Sequence, residues 1–196
     1  MSEHRDRRIR KTEEQLVKGL TKLMKTKSIK DITVRELADE VDINRSTFYL
    51  HYKDIFDMVE QIENKLVSNF LNTLDELNKN RITENTLLDF LNDTYNVIYS
   101  NSDICAVMLG PNGDIQFQKK IRDIIYTKIY EIIKNIMNKS GASDDEIAIT
   151  TGYFITGIVG IIELWLHDLS LGTPEHMAEI SVKLIEKGIH GFNINN

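Results

Sequence analysis

The sequence predicts an all-α chain of about nine helices, with a small N-terminal helix-turn-helix domain, a long joining helix and a larger helical body. Three observations carry this. Only two prolines and ten glycines interrupt 196 residues, and apolar residues recur at helical spacing, with no stretch of sustained strand alternation. The length suits a headpiece plus a body with a real core. Charge is divided unevenly: residues 1–56 hold 13 Lys and Arg against 10 Asp and Glu, a balance of +3, whereas residues 57–196 hold 11 against 20, a balance of −9. A basic front on an acidic body suggests a polyanion contact at the N-terminal end.

In chain order, Leu16, Leu20, Leu23 and Met24 make one face of a first helix over residues 7 to 26, and the polar turn KTKSIKDI ends it. Thr33 opens TVRELADEV, where Thr33 and Glu36 have capping-box spacing and Val34, Leu37, Ala38 and Val41 form an apolar stripe. Asn44 is a good N-cap for RSTFYLHY, and Asp54 with Asp57 caps a long helix to about Lys79. Beyond Arg81, TLLDFLNDTYNVIYS and the short DICAVMLG continue the helical pattern. GPNGD is a turn before IQFQKKIRDIIYTKIYEIIKNIMNK, and SGAS at 140 to 143 is another break. A helix then runs from Ser143 to about Leu169, and Pro174 begins the last, PEHMAEISVKLIEKGIHGF. The run YFITGIVGIIELWL at 153 to 166 is too short to span a bilayer and reads as a buried helix. The opening MSEHRDRRIRK has no signal-peptide character, and Cys105 as the single cysteine excludes an internal disulfide, so a cytoplasmic protein is expected.

The stretch VDINRSTFYLHYKD, residues 41 to 54, is poor in aliphatics and rich in small, polar and aromatic residues. From Thr33 to Tyr49 the spacing fits a helix-turn-helix. Leu37, Ala38 and Val41 pack the first helix, Ile43 plugs the turn, and Phe48 anchors the second from its inner side. Asn44, Arg45, Ser46, Thr47 and Tyr49 then lie at the start of a helix whose outer face would meet base edges or phosphates in a major groove.

With these residues in register, ITVRELADEVDINRSTFYLHYKDIFDMVE resembles the DNA-binding domain of TetR-type transcriptional regulators, with the close match over residues 9 to 65. The resemblance implies a DNA-binding domain over 1–53 and a ligand-binding and dimerisation domain over 54–196. It implies phosphate contacts from Thr33, Arg35 and Lys53, base reading by Arg45, Ser46 and Thr47, and backbone or base contacts from Tyr49 and His51. Arg7, Arg8, Arg10 and Lys11 form a basic arm that would add contacts. Two positions depart from the family pattern. Asp42 stands where glycine is common, which calls for a left-handed backbone, and Ile55 stands where a second basic residue is common.

For the C-terminal part, Tyr95, Tyr99, Met108, Phe117, Tyr126, Tyr130 and Tyr153 are candidates to line a small-molecule effector pocket, since aromatic rings with polar tips suit organic ligands. Plain core packing competes at each position. Gly152, Gly157 and Gly160 beside bulky residues suggest close helix packing. The family comparison points to a homodimer interface with Gly157, Ile158, Ile161, Ile162 and Trp165, shared with the last helix over 175 to 192. The patterns "NGD…F" and "WL…PE.M" resemble a TetR subgroup common in Firmicutes.

The resemblance implies a homodimeric, operator-binding regulator, in the commoner case a repressor released by a small molecule. The alternative is a co-regulator or activator whose C-terminal domain binds a protein, which would present an apolar surface patch and no enclosed cavity. No enzymatic motif, cofactor or membrane partner is expected. Glu163 and His167, four apart, lack further ligands for a metal site. Cys105 reads as a small buried hydrophobe.

Overall fold

A computed structural model describes residues 2–79, 83–137 and 141–187. Among them are nine α-helices and no strand: α1 Ser2–Met24, α2 Val34–Glu40, α3 Arg45–Tyr49, α4 Ile55–Lys79, α5 Glu84–Ser100, α6 Ser102–Leu109, α7 Ile115–Met137, α8 Asp144–His167 and α9 Pro174–Lys187. Arg81, Ser140, His190 and the last helix beyond residue 187 lie outside the described residues. By packing, the chain groups into an N-terminal unit of residues 1–66 with 103–118 and a C-terminal unit of 67–102 with 119–196. By packing, α4 and α7 each contribute residues to both units.

In the N-terminal unit, α1 buries Leu16, Leu20 and Met24. At Gly19 the helix comes so close to α2 that a Cβ would stand 2.3 Å from Val41 Cγ1, so glycine permits this approach. The expected polar turn after α1 is more ordered than its composition suggests: Ile29 and Ile32 are buried around a single 3-10 turn, Ile29–Asp31. Thr33 and Glu36 form the expected reciprocal capping box on α2. α3 is shorter than the expected RSTFYLHY helix and ends at Tyr49. α6 buries Ile104, Cys105, Val107 and Met108. In the turn after it, Asn112 Nδ2 donates to Met24 O at 3.0 Å, capping the end of α1. At Gly113 a Cβ would meet Met108 O at 2.0 Å, so this turn requires glycine.

The C-terminal unit is built on α5, α8, α9 and the later parts of α4 and α7. Its core gathers Leu74, Leu77, Phe90, Leu91, Tyr95, Ile132, Trp165, Met177, Ala178 and Val182. α8 opens on a capping box between Ser143 and Glu146. The expected helix from Ser143 to about Leu169 is found as α8, but the expectation that its run at 153 to 166 is buried is corrected here. α8 has 24 residues, long and apolar enough by length and composition to cross a membrane, and only 17% of its most apolar window is buried. Ile147, Thr151, Ile155 and Trp165 face inward. Gly152, Gly157 and Gly160 have no atom within 4 Å of a built Cβ, so no helix of this chain packs closely on them.

Candidate DNA-binding face and effector cavity

α3 is positioned from both sides of a tight turn. Asp42 takes φ +52°, the left-handed geometry expected where it replaces glycine. The Asn44 side chain accepts from Ser46 N–H at 2.9 Å and caps the helix, so its oxygen is already engaged. Phe48 is fully buried and packs on Tyr52 at 5.7 Å between centroids. The neighbouring residues must then point outward: Arg45, Ser46 and Tyr49 are exposed, Tyr49 at 58%, and Thr47 is half-buried. Thr33, Arg35 and Lys53 are exposed too, as is the arm from Arg7 through Lys11. Arg35 is paired with Asp39 at 3.7 Å, but both groups are wide open to water, where such a pair is weak. Lys53 N–H donates to Asp57 Oδ2 at 2.8 Å, while Asp57 N–H donates to Asp54 Oδ1 at 2.8 Å. This fixes the start of α4 and holds the Asp57 carboxyl below its usual range, the Lys53 amide being the main cause.

One expectation about this face needs correction. His51 turns inward, its side chain only 9% exposed, with Nδ1 at 3.4 Å from Glu13 Oε1; it braces the segment after α3 against α1. Ile55, at the position noted as departing from the family pattern, is buried and anchors the unit. Sequence reasoning also passed over Leu50, an exposed residue at the end of α3.

In the C-terminal unit a cavity of about 500 Å³ opens between α4, α5, α7, α8 and α9. Its walls are Phe70, Leu77, Leu87, Phe90, Leu91, Ile125, Ile129, Ile132, Ile133, Met137, Phe154, Ile155, Ile158, Val159, Ile162 and Ile185. Thr83, Thr94, Thr150 and Glu186 are the remaining lining residues. None of the seven aromatic and sulfur candidates lies on it. Tyr95 is buried in the core, edge-on to Trp165, and its hydroxyl bonds Ser181 Oγ at 2.8 Å; burial raises its pKa. Tyr99 stacks on Trp165 at 5.8 Å between ring centroids. Met108 and Phe117 belong to the N-terminal unit. Tyr126 and Tyr130 stack on each other, with Lys134 over Tyr130, and Tyr153 is 68% exposed. Tyr95 satisfies its hydroxyl within the core, whereas the cavity lining is apolar and looks like ordinary core in sequence.

The outward stripe of α8 carries Ile149, Tyr153, Gly157, Gly160 and Leu164, each three or four residues after the last. Of the five residues expected at a dimer interface only Gly157 is on it. Ile158 and Ile162 line the cavity, Ile161 packs on the core, and Trp165 is fully buried, its Nε1 donating to Gly172 O at 2.9 Å. Burial lifts the Cys105 thiol to about 11, which keeps it protonated and inert. Glu163 and His167 are exposed, and no group of three metal-ligating side chains occurs among the described residues.

Residues 85–187, about half the chain, match a family model described as a transcriptional regulator C-terminal region of TetR type. An uncharacterised helix-turn-helix transcriptional regulator of Bacillus subtilis, YxbF, is 23% identical over 186 residues. The match takes in 89% of this chain and 45% of that protein, so the chain spans about half the length of the curated relative. Among solved structures, a TetR-family regulator from Bordetella parapertussis superposes with a TM-score of 0.71 at 12% identity, over 92% of this chain and 97% of that one. The fatty acid regulator FadR of Bacillus subtilis, solved with stearoyl-CoA, gives 0.64 at 12% identity, over 90% and 99%.

Proposed function

We propose, from the premise that this chain belongs to the TetR family of transcriptional regulators, that it is a homodimer that binds a two-fold symmetric operator through α3 and releases it when an apolar effector fills the C-terminal cavity. The observation that carries the DNA-binding part is the geometry of α3. Fully buried Phe48 fixes the helix so that Arg45, Ser46 and Tyr49 face water together, flanked by Arg35 and Lys53. A dimer places two such helices on successive major grooves.

The cavity supports the effector part. Its apolar walls and its size suit a chain-like hydrophobic group, such as the acyl chain of the stearoyl-CoA seen with FadR. An occupant would touch Phe70 and Leu77 of α4 and Ile125 and Ile129 of α7, two helices that also contribute to the N-terminal unit. Differential binding to two states of those helices is what release requires. A cavity of this size also favours a small-molecule effector over a protein-binding co-regulator.

Selection of genomic fragments by the purified protein tests the reading. Enrichment of a two-fold symmetric sequence, lost with Tyr49→Ala while the melting temperature stays unchanged, is expected; no enrichment overturns it. Stearoyl-CoA and stearate, titrated onto the enriched fragment complex, should release the DNA, and Val159→Phe, which narrows the cavity, should blunt that release.

A further inference from the structure

Four side chains of α3 and its C-cap residue are exposed, and three of them can hydrogen-bond: Arg45, Ser46 and Tyr49. The fourth is Leu50, 83% exposed, the most open of the large apolar residues described. Its backbone keeps right-handed helical angles, φ −74° and ψ −20°, and its N–H donates to Thr47 O at 3.3 Å. Leu50 therefore stands one turn beyond Ser46 on the same outward face. The register that buries Phe48 and Tyr52 puts it there. A lone surface leucine is ordinary, but this one falls in a stretch where Arg45, Tyr49 and Lys53 are exposed as well, a run that carries the groups expected of a polyanion contact.

Leucine has nothing to donate or accept. Of the features that base pairs present in the major groove, the thymine C5 methyl is the apolar one, and a leucine can respond to little else. We propose that Leu50 is a specificity-determining residue that covers a thymine methyl in each operator half-site. The inference rests on the reading of α3 as the operator-contacting helix.

The test uses the full chain and its enriched operator fragment, with each thymine replaced in turn by deoxyuridine, which keeps every hydrogen bond and removes only the methyl. One thymine and its symmetry mate should each weaken wild-type binding by about fourfold, the worth of one buried methyl group, and by about fifteenfold together. With Leu50→Ala those substitutions should change nothing further, while Leu50→Met should keep the discrimination. The inference is overturned if no thymine shows a methyl effect, or if Leu50→Ala retains it in full, which would assign the methyl to Tyr49 or another residue. Failure to enrich any operator would sink the DNA-binding reading and this inference with it; an operator indifferent to its methyl groups would sink this inference alone.

Discussion

α3 and α8 both present a face that the single chain leaves open, and the two faces differ in how long they can stay open. The five-residue α3 shows Arg45, Ser46 and Tyr49, groups that water solvates well, so the face can wait for a ligand at little cost. The 24-residue α8 shows Ile149, Tyr153, Gly157, Gly160 and Leu164. Water offers those residues nothing, and a contiguous apolar stripe of this kind marks an interaction surface. A polar open face suits an intermittent partner, whereas an apolar one suits a permanent partner. In the proposed dimer, α3 is the first kind and α8 the second.

The largest effect should come from the second kind. A Cβ at Gly157 meets nothing within 4 Å, so substitution there does not disturb the monomer. Gly157→Arg should yield folded monomers in sedimentation analysis, and operator affinity should fall by ~100-fold or more as two linked half-site contacts become one. Gly157→Ala sharpens the point. If the stripe faces water, alanine raises stability by about 1 kcal/mol through helix propensity alone. If a second copy packs closely on the glycine, alanine lowers dimer stability instead. Dimers that survive Gly157→Arg would mean that α8 is not the interface.

Adjacent residues of α3 give the next contrast. Phe48→Ala empties the anchor on the inner side and should cost about 3–5 kcal/mol in chemical denaturation, with DNA binding lost through unfolding of the headpiece. Tyr49→Ala, one position away, should shift stability by no more than about 0.5 kcal/mol and yet weaken operator binding by about 1–3 kcal/mol. Comparable destabilisation by both would show that Tyr49 is held by the core and that the outward face is misassigned.

The same contrast explains what could be read from the sequence. Around α3 the signals are local: Thr33 and Glu36 three apart, Asn44 before a helix, Asp42 where the backbone turns left-handed, Phe48 opposite polar neighbours. Each constrains geometry within one turn of chain, and each reappears in the structure. The cavity has no such signature. Phe70, Phe90, Ile129 and Phe154 come from four helices, and a residue lining a hole has the same helical spacing as one filling a core. Tyrosines were therefore a poor guide: Tyr95 needed Ser181 on α9 for its hydroxyl, and Tyr153 went to the surface. His51 failed for a related reason, since its inward turn depends on Glu13, 38 residues away.

A smaller effect concerns the turn ahead of α3. Asp42 holds φ +52° at a cost that glycine does not bear. Asp42→Gly should raise the stability of the N-terminal unit by about 0.5–1 kcal/mol, part of the relief being cancelled by the greater freedom of glycine in the unfolded chain. Operator affinity should stay the same, because the side chain caps nothing on α3. Lower affinity in the glycine variant would give Asp42 a part in placing the helix.

The smallest effect separates two helix starts built on the same motif. Glu36 caps α2 with Thr33 and also pairs with Lys27, whereas Glu146 caps α8 with Ser143 alone. Lys27 and then Thr33 hold the Glu36 carboxyl down at about 2, from 4.5 in the unfolded chain. A depressed carboxyl favours the folded state above the unfolded value, so the contribution is complete above pH 4.5 and fades as pH falls toward 2. Glutamine keeps the cap but not the charge. Glu36→Gln should therefore lower Tm slightly at pH 6 and converge on wild type only as pH falls to about 2, a modest shift because the group is open to solvent and screened. Glu146→Gln should show a smaller difference at pH 6, since no lysine adds to that cap. Equal differences for the two variants would mean that Lys27 contributes nothing, leaving the headpiece held by its caps and by Phe48.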